Sequence, residues 1–157
     1  MNKEYDRFMH TVEHILNQTI ARIFGCGRAF SAHIEKKKSK CDYRMERAPT
    51  AAEIAGVETA VNEIIRSNLP VTEEFMDRRE AERLFNLKRL PDDAGETLRI
   101  VRVGGYDACP CIGPHVSRTG EIGAFRIIST TFKEGVSRVR FRLSPTGVDG
   151  VDDPCDA

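Results

Sequence analysis

The chain reads as an α+β domain in which helices pack against a largely antiparallel sheet. Three observations predict this class. Segments 11–24 and 50–68 carry apolar residues at helical spacing. Several other segments alternate apolar and polar residues with period two. Two pairs of those alternating segments are separated by short turn-forming stretches, as in hairpins.

Composition bounds the rest. A chain of 157 residues is one domain with a tail and can bury a core of its own. Hydrophobic content of 40% against 31% charged residues fits a globular protein in water. No run approaches the roughly 18 apolar residues of a membrane span, and the N-terminal stretch lacks the apolar core of a signal peptide. The five cysteines, Cys26, Cys41, Cys109, Cys111 and Cys155, are odd in number and irregularly spaced. That pattern predicts a reducing, cytoplasmic setting rather than a disulfide framework.

In chain order, Val12, Ile15, Leu16, Ile20, Ile23 and Phe24 mark the first helix, which Gly25-Cys-Gly27 ends. Phe30–Glu35 and Cys41–Glu46 read as a hairpin joined by a turn containing Lys36, Lys37 and Lys38. Thr50 and Glu53 form a capping-box signature for a second helix, striped by Ile54, Val57, Val61, Ile64 and Ile65 and ending near Asn68. Val71–Met76 is a predicted strand, Arg78–Asn86 a short charged helix and Pro91–Gly95 a polar loop. Thr97–Val103 alternates and leads into a loop around Cys111. Ala124–Phe132 and Val136–Leu143 are two further strands linked through Lys133-Glu-Gly135. On the second, Arg138, Arg140 and Arg142 alternate with Val139, Phe141 and Leu143, so the three arginines share one face. That row either holds phosphates or is the solvated side of the sheet. Residues 144–157 are predicted to be an extended, mobile acidic tail. Four aspartates, Asp149, Asp152, Asp153 and Asp156, lie in its last nine residues. Setting those four aside turns the formal zero charge of the chain into +4 for the remainder.

Two short motifs a hundred residues apart carry the chemistry. His10-Thr-Val-Glu-His14 places two imidazoles four residues apart, on nearly one face of a helix. Cys111-Ile-Gly-Pro-His115 places a thiol and a third imidazole on a tight turn. Together they offer a complete tetrahedral set for zinc, split across the chain and closed only by folding. The alternative is three ordinary histidines and a buried thiol. Glu13 stands directly before the second histidine, so the spacing is not that of a metalloprotease H-E-x-x-H helix.

The order of these motifs resembles the editing domain shared by alanyl- and threonyl-tRNA synthetases, and the freestanding alanyl-tRNA editing proteins. The resemblance covers roughly Asp6 to Leu143. The family's H-x-x-x-H before a Leu-rich helix matches His10 to Leu16. Its C-x-G-x-H followed by T-G-x-I-G-x-F matches Cys111 to Phe125, and Gly135-Val-Ser-Arg138 resembles the alanyl branch's G-V-R-R. Between Cys111 and His115 the chain has Ile-Gly-Pro, the Gly-Pro being the threonyl branch's choice and Gly-Gly-Thr the alanyl branch's. Cys109 stands two residues before the motif cysteine, where the family often has an acid; Asp107 is displaced.

The resemblance implies the common editing-domain fold over residues 1–143. It also implies a zinc-containing hydrolase that cleaves the ester of mischarged tRNA, of alanine or threonine type, after charging by another enzyme and without ATP. His10, His14, Cys111 and His115 would be the zinc ligands. Four protein ligands would close the coordination sphere, so either the ion expands to a fifth partner or one residue, Cys109 or His10, carries protons instead of binding it. Glu13, about 100° round the helix from His14, is a candidate general base; otherwise it is a solvent-facing carboxylate. Asn17 and Gln18 share the metal-facing side of the helix and either orient ligands or touch substrate. Lys36, Lys37, Lys38, Arg138, Arg140 and Arg142 are the candidate tRNA contacts. The competing readings are a catalytically silent, zinc-stabilised relative that binds tRNA or a protein, and a metal-assisted hydrolase of some other small ester or amide.

Overall fold

The first helix, α1 (Arg7–Phe24), begins where Asp6 adopts extended backbone and its carboxylate accepts the Phe8 and Met9 N–H groups at 2.9 and 3.1 Å. These are two of the four donors that a helix start leaves unpaired. The helix ends at Gly25, whose φ of 71° no β-carbon would tolerate cheaply and whose N–H returns to Ala21 O. This computed structural model describes residues 6–87 and 95–144. The predicted polar loop at 91–95, apart from Gly95, and the predicted tail beyond Ser144 lie outside the described residues.

The lysine turn joins β1 (Ser31–His33) to β2 (Ser39–Arg44) as an antiparallel hairpin, shorter than the sequence pattern suggests. Helix α2 (Ala51–Arg66) carries the expected capping box, Thr50 and Glu53 satisfying each other's backbone donors. Val57, Val61 and Ile65 of its stripe are buried. Strand β3 (Val71–Asp77), helix α3 (Arg78–Leu84) and β4 (Thr97–Val103) follow as the alternation predicts. The chain then turns through Gly104, at φ 51°, into β5 (Asp107–Pro110), a strand too short and too polar to show a period in the sequence. After a 3₁₀ turn at Thr119–Glu121, β6 (Ala124–Lys133) and β7 (Val136–Ser144) form the closing hairpin. Its two-residue turn holds Glu134 and Gly135 at φ 52° and 81°, the left-handed pair that matches strand twist.

The class is α+β with antiparallel pairing throughout, but the strands form two sheets rather than one. One runs β1-β2-β7-β6 and the other β3-β4-β5. Helix α1 covers the inner face of the larger sheet. Met9, Val12, Ile15, Leu16 and Ile20 pack with Cys41, Tyr43, Val139, Phe141 and Phe125 in one core. Helix α2 guards the edge strand β6: Asn62 pairs with both Phe125 N and Phe125 O at 2.8 and 2.9 Å, and Glu58 accepts the Ile127 N–H at 2.8 Å. Side chains thereby satisfy backbone groups that an open edge would offer to another chain. No described helix is long and apolar enough to cross a membrane.

Phe141 sits fully buried at the centre of this core, its ring 5.4 Å from that of Phe125. Phe141→Ala should cost about 3–5 kcal/mol. For a chain of this size that lowers the thermal midpoint by roughly 10 °C, a shift calorimetry would detect.

Candidate metal centre

The early turns of α1 and the loop after β5 meet. His10, His14, Cys111 and His115 each present one ligand atom, and these four atoms lie within 4.8 Å of one another. Cys111 Sγ is 3.4 Å from His10 Nε2 and 3.5 Å from His115 Nε2. The rings of His14 and His115 stand edge to face at 4.5 Å, and those of His10 and His115 stack at 4.4 Å. The group could hold a metal ion. Cys109, on β5 two residues before Cys111, stands outside it.

The far nitrogen of each imidazole faces an acceptor, and this sets the tautomers. His10 Nδ1 lies 3.1 Å from the Pro114 carbonyl, to which only an N–H can bond. Thr11 Oγ1 donates its proton to Arg7 O at 2.9 Å and accepts the Val116 N–H at 3.1 Å. It can therefore meet His115 Nδ1, at 2.9 Å, only as an acceptor. His14 Nδ1 is buried without a hydrogen bond but faces Asp107 Oδ2 at 3.6 Å, a separation that charges bridge and hydrogen bonds do not. In all three rings Nε2 is the atom turned toward the centre, the arrangement by which proteins orient metal-binding histidines.

Charge is balanced locally. Burial raises the Cys111 thiol, but its close contacts with His10, His115 and His14 outweigh it and hold the sulfur down at about 3, as thiolate. Burial lowers His14, yet Asp107 and Cys111 together bring it up to about 9. His115 falls to about 4, because burial outweighs its contact with Cys111. Asp107 would rise on burial, but His14 and Arg28 hold it at about 2. Arg28 grips it at 2.7 and 3.3 Å, and Gln18 donates to it at 3.0 Å. Cys109 is pushed up to about 12 by burial, so its sulfur stays a thiol.

The remaining candidates fall in different places. Glu13 is buried, 5% exposed, with one carboxylate oxygen 3.9 Å from His10 Nε2, and it is not a solvent-facing carboxylate. Asn17 donates to Glu13 at 3.4 Å and accepts from Tyr43 Oη at 2.7 Å and Ala29 N at 3.3 Å, so its amide is spent on the core. Gln18 touches Asp107 and Arg22. Lys36, Lys37 and Lys38 are exposed in the β1–β2 turn. Arg138, Arg140 and Arg142 lie on the outer face of β7, away from the metal cluster.

The sequence reading missed what three residues beside the cluster do, although it noted Asp107 as a displaced acid. Asp107 and Arg28 are brought to His14 only by folding. Arg99, which reads as a plain strand position, donates to Cys111 O at 3.2 Å and Gly113 O at 2.7 Å and so fixes the shape of the ligand loop. A β-carbon on Gly113 would fall 2.2 Å from the His10 ring. Only glycine lets that ring lie flat against the loop. Thr119, in the shared T-G-x-I-G stretch, accepts the Leu69 N–H at 2.8 Å and donates to Ile64 O at 3.0 Å, anchoring the loop to the end of α2.

If the cluster binds metal, Cys111→Ser should abolish stoichiometric binding in elemental analysis. Asp107→Asn should weaken affinity about 10–100-fold in a chelator competition. Gly113→Ala should do likewise with the near-ultraviolet circular dichroism of the core unchanged.

Residues 98–140 match the family model for the threonyl and alanyl tRNA synthetase second additional domain. An alanine–tRNA ligase of Methanopyrus kandleri is 30% identical over 147 residues, covering 90% of this chain and 16% of the relative. One from Halorubrum lacusprofundi is 31% identical over 155 residues, or 96% and 17%. One from Neisseria meningitidis serogroup B is 34% identical over 127 residues, or 76% and 14%. The chain thus spans about a sixth of the length of the curated relatives it matches. A histidine–cysteine cluster set in this sequence context relates the chain to the second additional domain of threonyl and alanyl tRNA synthetases.

Proposed function

We propose that this chain is a zinc-containing deacylase that hydrolyses the ester of mischarged tRNA, of alanine or threonine type, within a reducing cytoplasm. One observation carries the reading: three imidazole Nε2 atoms and a thiolate converge on a common point beside a buried carboxylate. The spacing suits zinc, because a thiolate and an imidazole nitrogen on one tetrahedral zinc ion lie about 3.5 Å apart, matching the 3.4 and 3.5 Å of His10 and His115 from Cys111. The four cysteines among the described residues form no disulfide, in keeping with that compartment.

When bound, zinc would supply Lewis acidity toward an ester carbonyl. The chain's own residues do the rest. Glu13 takes a proton from water as its oxygen bonds to the acyl carbon. The bond from that carbon to the ribose oxygen then breaks, and the proton passes to the departing hydroxyl. Free amino acid and tRNA result. Asn17 holds Glu13 in place through its amide, and Tyr43 holds Asn17. The exposed Lys36, Lys37 and Lys38 and the outer arginines Arg140 and Arg142 contact RNA.

A second reading is favoured by the closed ligand set: with four protein donors the ion is structural, and the chain binds tRNA without acting on it. Deacylation of seryl- and glycyl-tRNA(Ala) and of seryl-tRNA(Thr) separates the two. Under the first reading amino acid is released, and Glu13→Gln lowers kcat about 10²–10⁴-fold with metal content intact. Absence of release from all three, with tRNA still bound, establishes the second.

A further inference from the structure

The outer face of the β1-β2-β7-β6 sheet carries more positive charge than folding can explain. Lys40 and Arg140 stand directly opposite each other across β2 and β7, and Arg142 and Arg126 directly opposite across β7 and β6. Like charges in such cross-strand pairs repel and destabilise a sheet. Among the described residues no carboxylate comes within ion-pairing distance of any of these four cations. The one interior acid of the face, Asp42, is taken by Arg138, at 2.8 and 3.0 Å. That pairing holds the Asp42 carboxyl below its usual range, with Lys40 and Arg140 adding smaller contributions. At the β1 end, Lys38, Lys40 and Arg140 line a cleft of about 160 Å³ together with Ser39, His33 and Glu35. Glu35 is occupied by His33 at 2.6 Å.

We propose that Lys38, Lys40, Arg140, Arg142 and Arg126 form a track for the phosphate backbone of RNA, and that Arg138 is withheld from it by Asp42. The spacing fits a polyanion rather than one small anion: residues two apart on a strand are about 6.6 Å apart and neighbouring strands about 4.8 Å. The track therefore runs diagonally over three strands instead of closing on one point. Among the described residues it offers guanidinium and ammonium groups but, apart from the exposed Phe30 beneath Arg44, no aromatic platform. Such a surface holds phosphates without reading bases. It also lies across the sheet from α1 and the metal cluster, because Val139 and Phe141 point inward between the arginines. It would grip the body of an RNA while the reacting end lies elsewhere. The inference deepens the tRNA reading given above and rests on it for the identity of the RNA.

The test is binding of uncharged tRNA to the full chain as a function of salt, measured apart from hydrolysis. Arg126→Gln with Arg142→Gln should weaken binding about tenfold and flatten the log–log salt slope by about 2, while melting no lower than wild type because a repulsion is relieved. Asp42→Asn should release Arg138, tighten binding and steepen the slope by about 1. In a deacylation assay the double variant's loss should fall on KM rather than kcat. Wild-type affinity and slope in both variants would overturn the track while leaving the deacylase reading intact. Loss of binding in a protein that hydrolyses no charged tRNA would leave the track standing and remove that reading. Selective loss of binding to an acidic protein, with tRNA binding unchanged, would reassign the face and overturn the proposal.

Discussion

A single threonine hydroxyl ties the two halves of the site together. Thr11 donates back into its own helix and accepts both the Val116 N–H and the His115 imidazole, using every hydrogen bond a hydroxyl can make. The residue is completely buried, so nothing from solvent competes. It fixes the 111–116 loop against the first turns of α1, and it also chooses the His115 tautomer. Arg99 does the complementary work from the opposite side by holding the Cys111 and Gly113 carbonyls. Between these clamps the loop has one shape, and that shape aims a thiolate at three imidazoles.

Burying such a polar cluster is costly unless each charge meets a partner. The structure answers in layers. The Cys111 thiolate is surrounded by imidazoles. His14 is backed by Asp107, and Asp107 by Arg28 and Gln18. A second chain of contacts runs from Glu13 through Asn17 to Tyr43 in the core. Apart from His14 Nδ1, which faces Asp107 without a hydrogen bond, donors and acceptors in both chains are committed before any ligand arrives, so the geometry at the centre is set by the protein. Polar networks satisfied in this way specify one arrangement, whereas half-satisfied ones do not.

The larger sheet separates two kinds of work. Its inner face supplies Tyr43, Val139, Phe141 and Phe125 to the core that supports α1. Its outer face supplies charge. The same alternation along β7 serves both, since successive side chains point to opposite sides. Helix α2 keeps the β6 edge from becoming an interface by pairing its backbone with Asn62 and Glu58. Rigidity on one side of a sheet thus coexists with an unpaired cationic surface on the other.

Much of this was legible along the chain, because local chemistry writes itself at short spacing. The capping box at Thr50 and Glu53, the amphipathic stripes, the closing hairpin, and the two pairs of candidate metal ligands four residues apart all depend on neighbours within one or two turns. The division into two sheets did not show, since strand partners are chosen by non-local pairing and β5 is too short for any period. Along the sequence Glu13 reads as a surface carboxylate as well as a candidate base, and only the packing of α1 under the loop buries it. Arg28 and Arg99 reach the site from distant segments, Asp107 meets His14 only across the fold, and Asp42 disarms Arg138 across a strand pair that no linear spacing encodes. The sequence by itself determined which side chains could bind a metal and on what local scaffold. Tertiary structure alone decided which charges would face one another, because a charge's partner is set by distance through space rather than along the chain.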